Sequence, residues 1–112
     1  MERHMPLVRD LVESVLTTPG DTDPALRRAI EARSAQLGGR PGPADGEVPD
    51  ALSAYVDKVA RHAYTVTEDD LEELRRAGYS EDAIFEITLS AALGAGMARM
   101  ERGLAALRGE EP

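Results

Sequence analysis

Cysteine does not occur anywhere in the 112 residues, and tryptophan is equally missing. Without a thiol there is no disulfide, no thiolate metal ligand and no cysteine nucleophile, so thiol redox chemistry is excluded. Aromatic residues are scarce, with Phe85, Tyr55, Tyr64 and Tyr79 making up 4% of the chain. A core so short of rings must be built from Leu, Val, Ile, Ala and Met, which suits closely approaching helices better than packed sheets. Lysine is almost absent: Lys58 stands alone among 13 basic residues, against 21 acidic ones and a net charge of −8. An acidic surface repels phosphate backbones and anionic lipid, so neither nucleic acid nor membrane is an expected partner. The segment Met1–Pro6 lacks the apolar stretch of a signal peptide, and no unbroken run of 18 apolar residues follows it. The expected location is therefore the cytoplasm.

What is present is helical periodicity, enough for a single all-α domain spanning 1–112, a bundle of about five helices. The first helix is expected over about 6–18, with Pro6 in its first turn and Leu7, Val8, Leu11, Val12, Val15 and Leu16 on one apolar stripe. Asp23-Pro24 is an N-cap followed by a first-turn proline, opening a second helix that Gly38-Gly39 stops. Residues 38–49, GGRPGPADGEVP, hold four Gly and three Pro and read as a flexible loop. A third helix is expected to begin after Asp50 and to reach about Ala63 or Tyr64. Thr67-Glu68-Asp69-Asp70 then forms an acidic capping box for a short fourth helix that ends at Gly78.

Ser80 caps the last helix, expected to reach about Arg108, roughly 40 Å at 1.5 Å per residue. From Ile84 to Met100 it is apolar on nearly every side. A helix that is apolar all round must be buried all round, and a chain this short has few helices to surround it. Self-association is the expected remedy. Gly94-Ala95-Gly96 interrupts this helix at a propensity cost of roughly 2 kcal/mol. Either the helix breaks there, or a second helix crosses so closely that no side chain fits.

The stretch LEELRRAGYSEDAIFEITLSAALGAGMARMERGLAAL resembles the C-terminal half of the carboxymuconolactone decarboxylase and alkyl hydroperoxidase D-like superfamily. The shared features are Ala77-Gly78, the Ser80 cap, Glu81-Asp82, Ile84, Glu86, Ala91-Ala92 and Gly96. The resemblance implies an all-helical fold ending in a long buried C-terminal helix, assembled as a dimer, trimer or hexamer with active sites near subunit contacts. In the family's redox branch a Cys-x-x-Cys and a His precede the Ala-Gly turn. Here Ala63 and Val66 stand near the cysteine positions and Asp70 at the histidine position. A peroxide needs a thiolate to attack it, so that activity is lost. The decarboxylase branch keeps the histidine that Asp70 replaces.

Three residues remain as candidate acid/base groups. His62 and Tyr64 flank the expected end of the third helix, and imidazole titrates near neutral pH. Glu86 falls on the apolar last helix, where a buried carboxylate needs a partner such as Arg61 or Arg99 or becomes a raised-pKa acid. No spacing of His and carboxylates matches a metal site, and no glycine-rich phosphate cradle occurs, so no cofactor is expected. Two functions stay open: a non-catalytic interaction protein that forms homo-oligomers, or a cofactor-free enzyme using His62, Tyr64 and Glu86 on a small-molecule ligand.

Overall fold

The computed structural model describes residues 2–109, and among them all regular structure is helical. A short 3-10 turn at Glu2–His4 leads into α1 (Met5–Thr17), followed by α2 (Pro24–Leu37), α3 (Asp50–His62), α4 (Glu68–Arg76) and α5 (Glu81–Leu107). The helix starts are set by side-chain caps. Asp23 accepts from the Ala25 N–H, Ser80 from the Ala83 N–H, and Thr67 with Asp70 forms the reciprocal capping box that the sequence announces. Two stops need the left-handed region: Gly39 at φ 112° after α2 and Gly78 at φ 99° after α4. The Arg40 and Tyr79 N–H groups fold back onto the Ala35 and Leu74 carbonyls to seal those ends.

The centre of the fold is the pairing of α2 with α5. A Cβ at Gly94 would come within 2.2 Å of the Glu31 carbonyl oxygen, and one at Gly38 within 2.8 Å of the Ala95 carbonyl. Two backbones touch here, and α5 runs through the crossing as one unbroken helix of 27 residues. The close-approach alternative for Gly94 holds, and it is satisfied within the chain. Gly96 is different, with open space around its missing Cβ.

Helix α3 lies against the same pair, placing Leu52, Tyr55, Val56 and Val59 with Ile30, Ile84, Ile87 and Ala91 in the main core, which Leu74 of α4 closes. Tyr55 Oη meets Thr88 Oγ1 at 2.7 Å, and Arg99 donates to the Ala60 carbonyl at 2.6 Å, so α3 runs in the direction of α5. Helix α1 forms a separate, smaller cluster: Met5, with Val8 and Val12, packs on Met97 and Leu104.

One expectation about an apolar face is corrected. The six-residue stripe on α1 is only partly buried, for Leu7 and Leu11 are 71% and 66% exposed. The arc that meets α5 is set by Met5, Val8 and Val12, with Leu16 also buried, and a stripe wider than this arc spills over its edge. Helix α5 is not covered all round by its own chain. Phe85 and Leu107 are 66% and 73% exposed, and Ala92, Gly96 and Met100 share that side. By length and composition alone α5 could cross a membrane, and half of its most apolar stretch is buried inside the fold. Between α2 and α3, the Gly/Pro loop has no regular structure, yet Arg40 pairs with Glu31 and Glu101 at 3.1 Å and Val48 packs on the core.

Candidate functional site

Glu86 sits in the second turn of α5, directly beneath the connection between α1 and α2. Its carboxylate accepts from the backbone N–H of Asp21 at 2.9 Å and of Thr22 at 2.8 Å, and from the Thr22 hydroxyl. Gly20 passes so near that a Cβ would lie 2.6 Å from Glu86 Oε2. A side chain at position 20 would require the Glu86 carboxylate to shift. Burial alone would push this carboxyl up. The hydrogen bonds from Thr22 and Asp21, with the nearby Arg27 charge, outweigh it and hold the pKa below the ordinary glutamate value. Glu86 is therefore an ionised acceptor at neutral pH. A raised-pKa acid would need the opposite balance, and neither Arg61 nor Arg99 is its partner.

Arg27, only 3% exposed, completes the arrangement from α2. Its guanidinium donates to the Val15 and Thr18 carbonyls at 2.6 Å each and to Thr22 at 3.3 Å. Carbonyls at a helix C-terminus have no partner within the helix and carry partial negative charge, so a buried cation belongs there. One side of the connection is thus bound by a cation on carbonyls and the other by an anion on amides. A depression of about 270 Å³ opens beside it, bordered by Val15, Thr18, Pro19, Gly20, Glu86 and Leu89 among others. Arg27 was not legible as a functional residue. The available sign was an arginine next to Leu26 in the apolar register of α2, one turn before Ile30 and Glu31.

His62 and Tyr64 lie elsewhere. His62 is the last residue of α3, Tyr64 sits in the 3-10 turn Ala63–Thr65, and both side chains are exposed, Tyr64 by 86%. Their rings meet edge to face with centroids 5.9 Å apart. Because Ala60 is level with Arg99 on α5, the His62 end of α3 is some 13 residues along α5 from Glu86, roughly 20 Å by helical rise. The border of the depression beside Glu86 contains neither His62 nor Tyr64. The three candidate groups do not converge.

Asp70 and Asp57 are in structural pairs. Asp70 closes the capping box and takes Lys58 Nζ at 2.9 Å, and that hydrogen bond, with the Thr67 N–H, lowers its pKa. Asp57 binds Arg33 through two bonds of 2.6 and 2.8 Å, whose hydrogen bonding holds its carboxyl low. Among the described residues no three His, Asp or Glu side chains are grouped to hold a metal ion. No protein-family model, curated protein or solved structure matches the chain.

Proposed function

We propose that this protein is a non-catalytic, self-associating helical module, a redox-inactive variant of the carboxymuconolactone decarboxylase-like fold. One observation carries this: the outward side of α5, with the adjoining flank of α1, is apolar and uncovered. Val15 of α1 and Leu89 of α5, each half-buried, border one depression between the two flanks. Isolated surface leucines are ordinary, but Leu7, Leu11, Phe85, Met100 and Leu107 exposed together on α1 and α5 support an interaction surface. Family membership leans on the order of α4, the Ala77-Gly78 turn, the Ser80 cap and the long small-residue α5.

An acid/base enzyme has less to lean on. Its three groups are spread over two ends of the molecule, and Glu86 is committed to the backbone of the α1–α2 connection. Light scattering at micromolar concentration tests the proposal directly. The expected species is at least twice the 12.1 kDa of one chain, and a lone 12.1 kDa particle across the concentration range overturns it.

A further inference from the structure

Resting on that self-association, we infer that two copies pair antiparallel through the outward stripe of α5, on a two-fold axis passing beside Gly96. The stripe runs Phe85, Leu89, Ala92, Gly96, Met100, Gly103, Leu107, in steps of four and three residues that read the same in either direction from Gly96 and keep every member on one side. No member carries charge. Placing a two-fold axis at Gly96 brings Ala92 opposite Met100 of a second copy, Leu89 opposite Gly103, and Phe85 opposite Leu107. In two of the three pairs a large side chain faces a small one, and in the third two exposed large ones meet at the ends. An isologous contact requires one surface to complement itself in this way, and the stripe does so about one residue only.

The glycines point the same way. Gly96 and Gly103 meet nothing within 4 Å in the single chain, although each costs an exposed helix interior about 1 kcal/mol relative to alanine. Gly94, two residues away, shows what a glycine does in this helix when a second backbone arrives: it admits the Glu31 carbonyl. A symmetric crossing gives Gly96 the same task on the opposite side.

The available area suits a second copy. A stripe about 33 Å long from Phe85 to Leu107 and about 12 Å from Leu7 to Val15, each about 10 Å wide, offers on the order of 450 Å² in projection. That is more than half of the roughly 800 Å² per partner of a stable complex. Since α1 is antiparallel to α5, the Leu7–Leu11 flank of one copy extends alongside the partner's α5 and adds to its cover.

A chain without cysteine makes the test clean. Ala92→Cys and Met100→Cys proteins, each confirmed by light scattering under reducing conditions to associate like the parent, are oxidised alone and as a mixture. The mixture is expected to form a covalent dimer at least tenfold faster than either variant alone. In the antiparallel pair residue 92 faces residue 100, whereas two copies of residue 92 lie about 12 Å apart along the axis, beyond the roughly 7 Å a disulfide spans. Leu89→Cys alone is expected to stay uncrosslinked, and rapid crosslinking of it would signal a parallel pair and overturn the geometry. A dimer by mass whose mixture shows no advantage overturns the geometry while leaving self-association standing. As a second readout, Gly96→Leu, which favours helix in the monomer, is expected to raise the dimer dissociation constant at least tenfold, and an unchanged constant overturns the crossing. A parent chain that stays monomeric and floats with phosphatidylcholine vesicles overturns both proposals together.

Discussion

Gly94 and Gly96 belong to one helix and are separated by a single alanine, yet they stand in opposite surroundings. Gly94 is pressed against the backbone of α2, and Gly96 faces open space. The inner side of α5 is finished by its own chain, with Ile87, Ala91, Ala95 and Ala98 almost completely covered. The outer side carries similar residues and has nothing on it. Glycine in a helix is thus no signal of direction by itself. Its meaning comes from what reaches the position, and here one partner is α2 and the other is proposed to be a second α5.

The comparison breaks most readily at the inner glycine. Gly94→Ala places a methyl group 2.2 Å from the Glu31 carbonyl oxygen, so the α2–α5 pair must move apart along its length. The expected loss is about 3 kcal/mol, after allowing for the roughly 1 kcal/mol that alanine returns in propensity. Thermal unfolding followed by circular dichroism at fixed concentration would register this as a drop of at least about 10 °C. Gly96→Ala, by contrast, is expected to leave the monomer intact and act only on association.

Glu86→Ala comes next. It strips two backbone N–H groups of their acceptor and leaves the buried Arg27 without its nearby anion, an expected cost of about 2 kcal/mol in chemical denaturation. The pH dependence has a definite sign. The folded pKa of Glu86 lies below the unfolded one, so its contribution is complete above the ordinary glutamate value, near 4, and fades as pH falls through the lowered folded value. Glu86→Gln should flatten that acid limb, visible in unfolding curves taken between neutral pH and about pH 3. Ser34→Ala is a smaller effect of the opposite kind. The Ser34 hydroxyl is fully buried without a partner, beside the Gly94 crossing, and its removal is expected to stabilise by up to about 1 kcal/mol in the same assay. His62→Ala and Tyr64→Phe are expected to change stability by less than about half a kcal/mol, as exposed residues do.

How far this was legible in the sequence depends on the range of the interaction. Helix boundaries are local matters, and Asp23-Pro24, Thr67 with Asp70, Ser80 and the closing glycines announced them to within a residue or two. The capping box could be read because both of its halves lie within four residues. The partner of Glu86 could not, since it is the backbone of residues 21 and 22, more than sixty positions away and without any side-chain signature except Thr22. Arg27 was invisible for a related reason: its acceptors are main-chain carbonyls at the end of α1. Periodicity also overstated burial. It registers that Leu7 and Leu11 fall near the apolar arc of α1, but the width of the covered arc depends on how α1 lands on α5.

The division of the core into two clusters gives the molecule a seam. Helices α2, α3, α4 and α5 share one interior, while α1 clings to Met97 and Leu104 through a few side chains and to α2 through Arg27. An element held so lightly opens on its own, at a fraction of the free energy needed to unfold the rest. Its amide hydrogens should exchange with solvent deuterium well before those of α2 and the inner turns of α5. If the partner's helix also lies along its Leu7–Leu11 flank, assembly would slow that exchange, so the N-terminal helix would serve as a built-in gauge of whether the chain is alone.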